Sequence, residues 1–135
     1  MLRSMMQVFV TDSVNALEFY QKAFNAPLRC RYVDETGTIV QHSELDLFGQ
    51  AFAISDVSMT TSASSPSIAK GNNMMFCLEF GEGVENEAIV RGIFEVLKEG
   101  AVNWDGDAPV LASCDYSSLQ MSIVDKYGVV WCIYI

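Results

Sequence analysis

The chain contains a single histidine, His42, and that scarcity limits its chemistry more than any other feature. A two-histidine metal centre cannot be assembled within one subunit, and triad-type nucleophilic catalysis would depend on that one imidazole. Positive charge is also scarce: 8 Lys and Arg stand against 17 Asp and Glu, for a net charge of −9. With no continuous basic surface to neutralise phosphates, nucleic acid and anionic membranes are poor partners. The acidic residues are scattered rather than gathered into a run, which reads as solvated surface. No stretch approaches the roughly 18 apolar residues of a membrane helix, and Met1-Leu2-Arg3-Ser4-Met5-Met6 lacks the apolar core of a secretory signal. None of Cys30, Cys77, Cys114 and Cys132 forms a CxxC pair, which argues against a zinc knuckle or a thioredoxin-type redox site. Cys30, Cys77 and Cys132 lie in apolar strand-like runs, where a free thiol acts as a small hydrophobe and suits a reducing compartment. A cytoplasmic location is the expectation.

What is present is a chain of 135 residues, half of them hydrophobic and 19% charged. That length buries about two thirds of the unfolded surface, enough for one core without staples. A short apolar run, Met5 to Val10, leads into Thr11-Asp12-Ser13, any of which would cap a helix. In that helix Ala16, Leu17, Tyr20, Ala23 and Phe24 form one apolar stripe, and Asn25 and Pro27 end it. Strands follow at Pro27 to Val33, Ile39 to Phe48 and Gln50 to Ser55, with turns at Asp34-Glu35-Thr36-Gly37 and Gly49. The Ser- and Thr-rich segment from Asp56 to Asn73 reads as a linker loop, or less simply, over Met59 to Gly71, as a lid.

The order then restarts. Met74 to Phe80 reads as a strand and Glu85 to Glu99 as a helix with Ile89, Ile93, Val96 and Leu97 at helical spacing, closed by Gly100. Ala101 to Asn103 is extended, Asp105-Gly106-Asp107 turns, and Ser118 to Val124 with Val129 to Ile135 makes a closing hairpin. Ala16, Phe19, Tyr20 and Ala23 match Val90, Ile93, Phe94 and Leu97 at a constant shift of 74, and the turns Phe48-Gly49 and Tyr127-Gly128 lie 79 apart. The expectation is a single α+β domain of two βαβββ modules, 1–56 and 74–135 joined by 57–73, that pair to finish their burial and enclose a cleft.

Three segments taken together carry a resemblance. Ala16-Leu17-Glu18-Phe19-Tyr20-Gln21-Lys22-Ala23-Phe24, then His42-Ser43-Glu44-Leu45 leading to Ile54-Ser55-Asp56, then Asp125-Lys126-Tyr127-Gly128-Val129-Val130-Trp131 resemble the glyoxalase, bleomycin-resistance and extradiol-dioxygenase (vicinal oxygen chelate) superfamily, in its PhnB-like branch. The resemblance covers nearly the whole chain. It implies paired βαβββ modules forming a cupped mixed β-sheet, frequent homodimers, and in the enzyme members a divalent metal held by two His and two Glu. At the matching positions this chain has Met5, Met74 or Met75, Ala53 and Cys132, so no metal and no cofactor is expected there. The methyltransferase label that the branch sometimes carries gains nothing, because no glycine-rich nucleotide loop follows a strand.

His42 and Glu44 remain as candidate catalytic residues. Two apart on a strand, with Asp46 next along, they emerge on one face. If that face looks into a cavity, they make an acid–base or hydrogen-bonding pair; if it looks to water, they are ordinary polar residues of an amphipathic strand. Tyr116 and Trp131 are candidate walls of an aromatic ligand pocket, with Trp104 and Tyr127 beside them, although aromatics in strands commonly serve the core. The expected function is binding of a small organic ligand in the cavity between modules, with the usual metal ligands lost. The alternatives are a lyase-, isomerase- or dioxygenase-type enzyme using His42 and Glu44 as acid–base pair or partial metal site, and a protein that sequesters a cationic antibiotic.

Overall fold

A computed structural model describes residues 1–60 and 74–135. The chain divides into two compact units, Met1–Ala69 and Lys70–Ile135. The sequence places the linker over 57–73; Val57–Met59 form a 3-10 turn capped by the Asp56 carboxylate, while 61–73 lie outside the described residues.

The first unit runs β1 (Met6–Val10), α1 (Ser13–Phe24), β2 (Leu28–Val33), β3 (Val40–Leu47) and β4 (Gln50–Asp56), the expected βαβββ order. Its sheet has the order β1-β4-β3-β2, with β1 parallel to β4 and the other pairs antiparallel. A parallel neighbour cannot be reached by a tight turn, so the chain crosses over through α1 before the hairpins return it to β1. The helix stripe Ala16, Leu17, Tyr20, Ala23 and Phe24 is buried as its spacing predicts. Tyr20 meets Phe52 of β4 edge-on with ring centroids 5.2 Å apart, which identifies the sheet face under α1.

Helix α1 is not capped in the expected way. Asp12 adopts a left-handed conformation and its carboxylate accepts from the Asn15 side chain, 2.9 Å, leaving no side-chain cap. The Ser13 hydroxyl instead accepts from the Val40 backbone N–H, 3.0 Å, tying the helix start to β3. Asn25 ends the helix in the left-handed conformation that its short polar side chain tolerates.

The second unit repeats the plan with one addition: β5 (Phe76–Glu79), α2 (Val84–Leu97), β6 (Val102–Asn103), β7 (Ala112–Cys114), β8 (Ser117–Val124) and β9 (Val130–Tyr134). Again the first strand lies parallel to the last, in the order β5-β9-β8-β6, and β7 is a further short strand on β8. The sequence misses β7 because three residues carry no readable alternation. Of the helix-spaced Ile89, Ile93, Val96 and Leu97, Ile93 and Leu97 are buried together with Val90, Val96 is half-buried and Ile89 is exposed. Met74 and Met75 precede β5 and are exposed. Of the three cysteines expected to be buried only Cys132 is; Cys30 is half-buried and Cys77 exposed. Among the described residues no helix is long and apolar enough to cross a membrane.

The turn between β8 and β9 has a charged centre. Asp125 is buried, and its carboxylate accepts from the backbone N–H groups of Tyr127 (2.9 Å) and Val129 (3.0 Å) and from the indole N–H of Trp131 (2.9 Å). Gly128 completes the turn at φ 83°, where a side chain would be strained. Asp125, Gly128 and Trp131 thus belong to one folding device. Asp125→Ala leaves three donors without their acceptor and is expected to destabilise the protein by about 2–4 kcal/mol in urea denaturation, against less than about 0.5 kcal/mol for the neighbouring surface change Lys126→Ala.

Candidate functional site

The strand carrying His42 and Glu44 is β3, at the centre of one hairpin pair. Leu45 is in register with Phe52, which faces α1, so Glu44 and its partner Ala53 point to the opposite face. On β2, Cys30 lies opposite Glu44 and Tyr32 opposite His42. One sheet face therefore gathers a thiol, an imidazole, a carboxylate and a phenol.

Glu44 is only 6% exposed, so it is not an ordinary solvent-face residue. A buried carboxylate needs partners, and it has two. Arg3 donates through both terminal nitrogens, 2.6 Å to one oxygen and 2.7 Å to the other, in the fork geometry that suits a guanidinium. His42 Nε2 lies 3.1 Å from the oxygen Oε1. Hydrogen bonds from Arg3 first and His42 second hold the Glu44 carboxyl far below its ordinary value, from 4.5 down to about 2.

Sequence spacing joined His42 to Glu44, and the structure brings them into contact. Asp46, also placed on this face, turns instead to Arg29 at 2.7 Å and to the Gly49 N–H at 2.6 Å. Arg3 was missed because it sits in the irregular segment before β1, where no periodicity assigns it a face. Cys30 was missed because its register depends on an irregularity between Leu28 and Cys30, which alternation counted along the strand does not foresee.

The two aromatic candidates part company. Trp131 is fully buried, tilted against Phe76 at 5.3 Å, with its N–H satisfied by Asp125; it stands in the core of the second unit. Tyr116 is 66% exposed, with its hydroxyl 4.0 Å from Cys132 Sγ and its ring edge-on to Tyr134. Trp104 is exposed.

Where first and last strands run side by side, β1 sets Gln7 beside Ala53, and β5 sets Cys77 beside Cys132. The Gln7 amide donates to the Ser55 hydroxyl, 3.1 Å. Neither pair supplies a His or a Glu: the first unit sets an amide beside a methyl, the second a thiol beside a thiol.

No protein-family model and no curated protein matches the sequence. Solved structures do. Protein PA1353 from Pseudomonas aeruginosa matches with a TM-score of 0.71 at 14% identity, over 99% of this chain and 97% of that one. A PhnB protein from Bacillus cereus, named as a 3-demethylubiquinone-9 3-methyltransferase, gives a TM-score of 0.68 at 22% identity over 98% of both chains. The fosfomycin resistance protein FosX from Listeria monocytogenes, solved with Mn(II) and 1S,2S-dihydroxypropylphosphonic acid, gives 0.62 at 12% identity over 98% and 90%. These proteins, and a glyoxalase-related enzyme from Fulvimarina pelagi (TM-score 0.66 at 12% identity), share this chain's fold, and it is the fold that the three sequence segments implied.

Because Glu44 is bound in its charged form, its contribution to stability is complete above about pH 5 and is lost as the pH falls toward 2. The Arg3 end of the pair is about half exposed, so water screens it. Glu44→Gln is expected to cost about 1–2 kcal/mol at pH 7 in urea denaturation. The gap from the parent protein narrows as pH is lowered and closes near pH 2.

Proposed function

We propose that the protein is a PhnB-like member of the vicinal oxygen chelate superfamily that binds a small organic molecule without turning it over, with the superfamily's four-ligand metal set absent. The observation that carries this reading is the Glu44 carboxylate, buried yet ionised between Arg3 and His42 on the sheet face turned away from α1. A carboxyl at about 2 is a poor proton acceptor at neutral pH, since general bases work best with values near the operating pH. It is a good fixed acceptor for a ligand's N–H or O–H groups, with His42 and Tyr32 beside it. The enzyme reading with Glu44 as base is correspondingly weaker.

A homodimer fits the same protein. Strand β2 ends the first unit's sheet and exposes Leu28, Tyr32 and Val33 alongside Arg29 and Arg31, apolar side chains on an edge that a second copy would cover. Exposed free thiols at Cys77 and Cys114 suit the cytoplasm.

A thermal-shift screen of small polar metabolites, with a cationic glycopeptide included, tests the binding reading. A true ligand at a hundredfold excess over its Kd adds about 2.7 kcal/mol of stability, and that gain is lost in His42→Ala and Glu44→Gln. Chemical conversion of the ligand, or a gain that both variants retain, sinks the proposal; stabilisation by the glycopeptide alone moves it to drug sequestration. Sedimentation is expected to give about twice the 14.9 kDa chain mass, with Tyr32→Lys shifting the protein toward monomer.

A further inference from the structure

We propose that Cys30, His42 and Glu44 form a binding site for a thiophilic divalent cation of the zinc class, for which the Arg3 guanidinium is the built-in competitor. One donor atom from each of the three residues lies within 4.8 Å of the others. All three stand on paired strands, Cys30 opposite Glu44 across the β2–β3 ladder and His42 two residues before it, so sheet hydrogen bonds position the donors. This site lies on the edge strand β2 and its inner neighbour β3 in the first unit. It is separate from the first-and-last-strand pair Gln7 and Ala53, which offers neither His, Cys nor carboxylate.

The chemistry of the donors selects the ion. Thiolate, neutral imidazole and carboxylate together carry two negative charges, matching one divalent cation, and sulfur with nitrogen favours zinc over magnesium or calcium. On binding, the Cys30 thiol gives its proton to solvent while the Glu44 carboxylate is already ionised. Three protein donors leave the fourth tetrahedral position for water or for a ligand heteroatom. Cys30 and His42 are half-buried, so an ion reaches the cluster from solvent.

The site already holds a cation. Arg3 places its charge on both oxygens of Glu44, one of which is the oxygen nearest His42. Its side chain is 52% exposed and belongs to the segment before β1, so swinging away breaks a partly screened ion pair and no sheet hydrogen bond. Metal and Arg3 are alternative occupants of one carboxylate. The inference needs only the first unit and does not depend on the organic-ligand reading.

Cobalt(II) titration of the reduced full-length protein, with zinc measured in competition against a chromophoric chelator, tests it. One equivalent is expected, with a thiolate-to-cobalt charge-transfer band that disappears in Cys30→Ser. His42→Ala should bind more than about 100-fold more weakly, since even partners outside the coordination shell cost 10- to 100-fold. Arg3→Ala should bind zinc about three- to fivefold more tightly. Should Cys30→Ser not fold, alkylation of the parent protein replaces it: zinc should slow labelling of Cys30 and leave Cys114 unchanged. A band that survives Cys30→Ser and vanishes in Cys77→Ser overturns the assignment, as does equal labelling of Cys30 with and without zinc. Unchanged zinc affinity in Arg3→Ala overturns the competition.

Discussion

The parallel contact between the first and last strands of each half is the constraint from which the rest follows. Strands β1 and β4, and again β5 and β9, can become neighbours only if the intervening chain leaves the sheet and returns. Each helix performs that crossover, and the helix then covers one face of the sheet it has just closed. The opposite face is left to residues of different chemistry: Gln7, Ser55, Glu44, His42 and Cys30 in the first unit, Cys77, Cys132, Ser122 and Gln120 in the second. The polar and thiol-bearing side chains of this protein are therefore consequences of topology as much as of composition.

Two buried carboxylates show how the same physics serves different ends. Asp125 spends its acceptors on backbone and indole donors within seven residues of chain, so its charge is absorbed locally and fixes a turn. Glu44 takes its partners from 41 residues away and from two residues away, and one of them is a half-exposed arginine outside the strands. A charge neutralised by a movable group can exchange that group for another cation or donor. This difference separates the structural carboxylate of Asp125 from the one on which the proposed binding role rests.

Much of the architecture was legible in the sequence because its signals are local. The helical stripe of α1, the glycines at Gly37, Gly49 and Gly128 with their positive φ angles, and the repeated order of elements all express short-range rules. The misses were of two kinds. Strand β7 and the exact stripe of α2 failed because three residues, or a one-residue rotation about a helix, fall below the resolution of periodicity. The cap of α1 failed because Ser13 found a partner on β3, a contact no local rule contains.

The sequence by itself determined that this is a two-module α+β chain with a single imidazole, and it put His42 and Glu44 on one face through the two-residue period of a strand. Only the tertiary structure decided which groups meet on that face. It buried Glu44, brought Arg3 across from an irregular segment, set Cys30 in register through a strand irregularity, sent Asp46 to Arg29, and took Trp131 into the core. The reason is that alternation fixes the side of a sheet on which a residue stands. Which charges meet there is decided by pairing between distant segments, and by the requirement that a buried carboxylate find donors wherever the chain can supply them.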